Sequence, residues 1–332
     1  MRKRSVAHTT FVLALSLTVC AAVATPAFAQ TPRGDFPTRP IMFVVGFAPG
    51  GGVDISARLL ASKLSEYFGQ QFVVENKPGA GTNIAAVEVA RSAPDGYTLF
   101  MNSPAVVINM ALYAKPPYDL QRDFTGVSLF SRTTNMLVVP ASFEAKSVQE
   151  LVKIAKAHPG RLNYSSAGPG TTQHLAAELF KLRTGTRIVH IPYKGSGPSM
   201  TALLAGDVQL TFINPVAVGA HVKGGRLRAL AVTDSKRTEL MPDVPTMKEA
   251  GIDGVEVSLW YGLLAPGATP RDVVDKLSSA VTRATQDPAI RESIRKQGAE
   301  PVGNSSADFN AYLRQEFARW SEVVKVSGAR VE

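Results

Sequence analysis

Phe47-Ala-Pro-Gly-Gly-Gly-Val-Asp54 and Ser166-Ala-Gly-Pro-Gly-Thr-Thr-Gln-His174 each set a Gly-rich loop between a strand-like and a helix-like run. A helix entered through such a loop presents unpaired backbone N–H groups and the positive end of its dipole. Two such loops facing each other make a bed for an anion, which points to a receptor for a small carboxylate.

Strand-like and helix-like runs alternate outward from these loops. Ile41 to Phe47 is apolar, Ile55, Leu59, Leu60, Leu64 and Phe68 recur at helical spacing, and Phe72-Val-Val74 is apolar again. Strands are expected at Thr98 to Met101, Met136 to Val139, Leu162 to Ser165, Ile188 to Ile191, Val208 to Ile213 and Leu227 to Val232. Helices are expected at Leu151 to Ala157, Leu175 to Leu182 and Ser199 to Ala205. Alternation with strands apolar along their length predicts an α/β fold of parallel-rich sheets covered by helices. Ligands of such sheets sit outside the C-terminal strand ends, where both Gly-rich loops fall. Val257 to Leu264 is one more apolar stretch, and helices at Pro270 to Thr285, Pro288 to Gln297 and Ala307 to Val326 predict a C-terminal return onto an earlier sheet.

The first residues read as an export signal. Arg2, Lys3 and Arg4 precede an apolar run from Phe11 to Ala24 and an Ala27-Phe-Ala29 cleavage site. Residues 1–29 are therefore expected to be a signal peptide and Gln30 the mature N-terminus. Cys20 raises a lipoprotein alternative, but Val19 is bulky where that processing wants a small residue. The apolar run is also short of the ~20 residues that span a bilayer. Removing the leader removes the only cysteine, so no disulfide is expected, and the net charge falls from +9 to +6. The basic residues are scattered among acids without interleaved aromatics, which argues against a nucleic-acid partner.

Catalytic and metal chemistry find little support. His174 and Glu178 share one helix face, but His158, His190 and His221 are scattered, and a metal site needs more ligands. His174 is therefore read as structural. Gly79-Ala-Gly81 has Ile84 where a dinucleotide fingerprint wants its last glycine, and Ser196 lacks the Gly-x-Ser-x-Gly elbow of hydrolases. Trp260 and Tyr261 are read as core. The loop from Tyr193 to Pro198 is equally a cleft loop or a surface turn.

Six ordered blocks carry a family resemblance: residues 47–54, Val74-Glu-Asn-Lys-Pro-Gly-Ala-Gly81, Pro94-Asp-Gly-Tyr-Thr-Leu99, Gly170-Thr-Thr-Gln-His-Leu-Ala-Ala-Glu178, His190-Ile-Pro-Tyr-Lys-Gly195 and Leu227-Arg-Ala-Leu-Ala-Val232. In this order they resemble the Bug family, periplasmic solute-binding receptors of tripartite tricarboxylate-type transporters. The resemblance implies a two-domain type II periplasmic binding protein, or Venus flytrap, with its cleft between domains. It further implies a monomer that delivers a small organic carboxylate to membrane permease subunits, with no cofactor. Residues 30–131 with 252–332 form the expected first domain and 132–251 the second. The expected ligand-binding residues are Phe47, Ala48, Gly51, Gly52, Asp54, Gly81, Thr82, Ser103, Ser166, Ala167, Gly170, Thr171 and Asn214. Thr82 stands where the family commonly has a third glycine, and Asn102-Ser-Pro-Ala105 and Asn214-Pro215 also depart from it, so these positions are expected to shape the rest of the pocket. An exported ester hydrolase and a carboxylate sensor for a signalling partner are the competing readings.

Overall fold

The computed structural model describes residues 36–329, the side chain of Val216 excepted. The expected leader and its cleavage site lie outside the described residues. Two sheets organise the rest. The first runs β11 (Glu300–Pro301), β4 (Phe124–Thr134), β10 (Ser258–Pro266), β3 (Thr98–Asn102), β1 (Ile41–Val45), β2 (Phe72–Asn76). The second runs β7 (Val189–Pro192), β6 (Asn163–Ser166), β8 (Leu210–Ile213), β5 (Met136–Pro140), β9 (Leu227–Val232). With the first sheet go helices α1 (Gly52–Phe68), α2 (Asn83–Ala90), α3 (Ala105–Leu112), α4 (Leu120–Asp123), α9 (Arg271–Gln286), α10 (Pro288–Lys296) and α11 (Ser306–Ser327). The second carries α5 (Val148–Ala157), α6 (Thr172–Thr184), α7 (Ser196–Ala205) and α8 (Pro215–Lys223).

The sheets are mixed, and the expected parallel pairing holds on one side of each. β1 pairs in parallel with β2 and β3, and β6 with β7 and β8. The antiparallel pairs are those made by β4, β5, β9, β10 and β11. β4, β5, β9 and β10 carry the chain between the lobes, at Asn135 and again over Thr233–Val257. The two crossings are bonded to each other. Thr233 N donates to Asn135 O at 2.9 Å, Val257 N to Thr233 O at 2.7 Å, and Thr233 Oγ1 to Val257 O at 2.9 Å.

Amphipathic segments fold as their periodicity predicts. α1 lays Ala57, Leu60, Ala61 and Leu64 against Ile41, Phe43 and Phe72, and each fully buried Leu or Phe stabilises the lobe by ~1.5–3 kcal/mol. The expected C-terminal return is also present, with β10 inserted between β4 and β3 and α9 and α11 packed on β4. Two of the elements that escaped the sequence reading show why. β4 reads Phe-Thr-Gly-Val-Ser-Leu-Phe-Ser-Arg-Thr-Thr, too polar for a buried strand, yet Ser128 and Ser131 are buried in it. α3 is buried from Ala105 to Asn109 and so shows no polar face.

α11 is seated by one aromatic ring and one buried carboxylate. A Cβ on Gly126 of β4 would meet Phe309 Cδ1 at 2.8 Å and one on Gly262 of β10 would meet its Cζ at 2.4 Å, so the bare glycines admit the ring. Glu316 is 3% exposed and accepts from Trp260 Nε1 at 2.8 Å, Trp320 Nε1 at 2.9 Å and Arg319 Nη1 at 3.3 Å. Replacing Glu316 with Leu strands two buried indole N–H groups, and an unpaired buried donor costs ~1–3 kcal/mol. Glu316→Leu is expected to lower unfolding free energy by roughly 2–4 kcal/mol in urea titrations. Glu316→Gln, which keeps an acceptor oxygen, should lose less.

Candidate functional site between the lobes

Five strand-to-helix turns meet where the lobes face each other. α1 follows β1 and α3 follows β3 in the first lobe, while α6, α7 and α8 follow β6, β7 and β8 in the second. Their N-terminal residues Gly51, Gly52, Val53, Ser103, Thr171, Thr172, Gln173, Ser196 and Asn214 line a narrow cleft closed by Phe47, Ala167, Leu259 and Tyr261. First-turn N–H groups have no intrahelical acceptor, and aligned peptide dipoles leave partial positive charge there. None of the lining side chains is acidic. The cleft is thus polarised to receive an anion. A wider groove of about 630 Å³ lies on the outer face of the first lobe among Met110, Phe124, Leu313 and Phe317. Helix N-termini do not converge on it as they do on the cleft.

The lobes touch at the cleft rim, leaving a cavity of about 30 Å³, roughly the volume one water occupies in the liquid. Ala48 N donates to Lys194 O across the gap at 3.0 Å. The loop at Lys194 to Gly197 is therefore a cleft loop. Glycine permits close packing here: across the gap a Cβ on Gly81 would stand 2.3 Å from Pro169 O, and within the first lobe one on Gly52 would stand 2.0 Å from Tyr261 Oη.

Of the expected binding residues, Phe47, Gly51, Gly52, Ser103, Ala167, Thr171 and Asn214 line the cleft. The other six stand one layer back and shape the loops. Ala48, Gly81 and Gly170 make the rim; Gly170 sits at φ +73°, and a Cβ there would meet Asn109 Oδ1 at 1.8 Å. Asp54 braces the first loop by accepting from Gly50 N at 3.0 Å, from Asn76 Nδ2 at 2.9 Å and from Arg58 at 2.9 Å. Burial pushes its carboxyl up, but the hydrogen bonds from Arg58, Gly50 and Asn76 outweigh it and hold the group below the usual carboxylate range. Thr82 sits at φ +83°, a left-handed conformation costly for a branched residue, which explains why glycine suits this position. Its Oγ1 accepts from Asn102 Nδ2 at 3.3 Å.

Two hydroxyls expected to reach across the cleft are engaged in their own loop. Thr171 Oγ1 donates to Gly168 O at 2.8 Å and accepts from His174 N at 3.4 Å, as a helix cap does. Ser166 Oγ accepts from Gly168 N at 3.1 Å and bonds His190 Nε2 at 2.7 Å. The sequence reading missed Val53, Thr172, Gln173, Ser196, Leu259 and Tyr261 in the lining. Tyr261 was read as core. Strand alternation sends Trp260 into the core and Tyr261, its neighbour on β10, to the cleft. That alternation was the signal available for finding it.

Behind the second loop, His174 stacks on His190 with ring centroids 4.5 Å apart, and His190 stacks on Tyr164 at 4.6 Å. His174 Nδ1 accepts from Gly170 N at 3.4 Å, so the ring props the second Gly-rich loop, in keeping with a structural role. Burial lowers the pKa of His174 to about 4, Glu178 opposing and Lys181 adding to the shift. Burial, then His174 and Lys181, lowers that of His190 to about 3. Among the described residues no group of three or more His, Cys, Asp and Glu side chains is placed to hold a metal ion.

The family model for the tripartite tricarboxylate transporter family receptor matches residues 56–329. The chain is similar to Protein BugT of Bordetella pertussis, with 37% identity over 314 residues covering 94% of this chain and 95% of that one. Among solved structures, Rpa4515 of R. palustris with adipate superposes at TM-score 0.86 with 39% identity, over 90% of this chain and 100% of the other. The periplasmic binding protein BugD superposes at 0.86 with 33% identity over the same shares. The two-lobed arrangement is accordingly the Venus flytrap of periplasmic binding proteins.

Because the histidines are held neutral in the folded state, the unfolded chain takes up protons first as pH falls. Stability is full above the ordinary histidine pKa of about 6.5 and is expected to drop from there toward pH 4, by roughly 1.4 kcal/mol per pH unit for His174 alone. Urea titrations at pH 7 and pH 5 measure the loss. His174→Gln should remove the His174 share of the loss and leave that of His190.

Proposed function

The chain belongs to the tripartite tricarboxylate transporter receptors, the Bug proteins among them, and from that premise we propose that it is an extracytoplasmic receptor that captures a small carboxylate between its lobes. The single observation that carries the reading is the convergence of helix N-termini on a cleft lined by no acidic side chain. Each charge-assisted hydrogen bond contributes ~1.5–3 kcal/mol, so three or four support micromolar binding after ordering costs. The adipate held by the R. palustris relative supports the ligand class. The periplasmic placing of BugD supports export through the leader at residues 1–29.

In this reading the monomer works in the periplasm, binds without chemically changing its ligand, and hands it to the permease subunits of a tripartite transporter. Residues 30–131 with 252–332 form one jaw and 132–251 the other. The ligand binds to both jaws and favours the closed state by its differential affinity. With only about 30 Å³ free between the jaws, entry requires opening.

Calorimetry and small-angle scattering on the purified mature protein test this with adipate and a panel of other small carboxylates. A binder should contract the particle, and its methyl ester should bind poorly. Gly52→Ala leaves the backbone unstrained but sets a methyl against Tyr261 Oη. It is expected to weaken binding at least about tenfold and to abolish the contraction, and to cost about 1–3 kcal/mol of stability as Tyr261 is displaced. Undiminished affinity in this variant, or conversion of the ligand to product, would sink the reading.

A further inference from the structure

Two polar atoms in the cleft wall are buried and have no hydrogen-bond partner: Gln173 Oε1 and Tyr261 Oη, each on a side chain about 3% exposed. Gln173 Nε2 donates to Ser196 Oγ at 2.7 Å, which turns the amide so that Oε1 is the unpartnered end. Both residues line the same cleft, and the consecutive glycines of the first loop run past Tyr261 and past Ser196, the partner of Gln173. A Cβ on Gly51 would lie 3.8 Å from Ser196 Oγ, and one on Gly52 would lie 2.0 Å from Tyr261 Oη and 3.0 Å from Asn214 Nδ2.

An unpartnered buried polar group costs enough that a ligand able to complete it gains selectively. A carboxylate offers acceptors only, so it matches the helix N-termini but leaves Gln173 Oε1 unanswered. A hydroxyl carries one donor and two lone pairs. It can donate to Gln173 Oε1 and can accept from the Tyr261 phenol. An ammonium would also donate to Gln173, but no acidic side chain lines the cleft and the helix N-termini oppose a cation. Asp54, nearby in the sequence, spends its carboxylate on Arg58, Gly50 and Asn76.

Building on the receptor reading, we infer that Gln173 and Tyr261 are specificity-determining residues that take a hydroxyl carried beside the ligand's carboxylate. The chain therefore selects hydroxycarboxylates over their deoxy and amino counterparts.

Calorimetry on the purified mature protein compares matched probes: each enantiomer of malate against succinate, each enantiomer of lactate against propionate, and L-aspartate as the amino counterpart. In at least one pair the hydroxylated acid is expected to bind about tenfold or more tighter than its deoxy partner, and aspartate to bind more weakly than malate. Tyr261→Phe and Gln173→Leu should each bring the hydroxy-to-deoxy ratio to within about threefold of unity. Unfolding midpoints check that the variants fold. Should either fail to, the ratio in the unaltered protein and the other variant still decide. Equal binding of hydroxy and deoxy acids, tighter binding of succinate than malate, or discrimination that survives both substitutions overturns the inference and leaves the receptor reading standing. Silence from every probe overturns it too, and silence from a wider carboxylate panel removes the receptor reading with it.

Discussion

Unpaired N–H groups at the starts of helices are obligatory polar atoms, and this chain gathers several of them on one cleft. Burying such donors without acceptors would be costly, so the cleft is stable as a binding surface and poor as a packed core. The polarity follows from topology. A strand whose C-terminal end leads straight into a helix delivers that helix's N-terminus to the same sheet edge. β1, β3, β6, β7 and β8 all do so. The parallel part of each sheet thereby makes the binding edge.

The antiparallel strands serve the other requirement of a two-jawed molecule, a connection that holds the lobes in register. β4 and β5 take the chain across once and β9 and β10 bring it back, with Thr233 bonding both crossings. β10 then carries the consequence into both compartments. Trp260 points to Glu316 and α11 in the core, while Tyr261 points into the cleft. One strand thus ties the seating of the C-terminal helix to the wall of the binding site.

Much of this was legible where a pattern had a single physical cause. The Gly-rich loops at 47–54 and 166–174 announce close backbone approach, and α1 and α9 show the apolar stripe of a helix with one buried face. Elements buried all round or built of small residues hid themselves. α3 has no polar face to reveal its period, and β4 trades apolar bulk for Gly126, Ser128 and Ser131 beneath α11. The loops of the site were readable but the direction of each hydroxyl was not. Whether Thr171 caps its own helix or reaches outward depends on Gly168 O standing 2.8 Å away, a fact of tertiary geometry. Tyr261 was hidden by its company, since an aromatic beside Trp260 in an apolar run reads as core unless strand parity is followed.

The rim shows why ligand class and ligand identity are set by different atoms. At the contact between lobes the backbone does the approaching, Gly81 against Pro169 O and Gly195 against Ala48, and the strain falls on Ala80 and Thr82, both at positive φ. Asn109 stabilises that turn by donating to Gly81 O at 2.7 Å and Asn83 Oδ1 at 2.8 Å. Backbone donors cannot be substituted away by side-chain mutation, so the attraction for an anion persists while the side chains around it vary. The side chains that stand around this edge are few: Gln173 with Ser196, Asn214 beside Gly52, and Tyr261. In the receptor reading these are the groups that face a ligand once the cleft opens. A single methyl or hydroxyl in the wall therefore has more influence on which carboxylate is held than any charge on the outer surface.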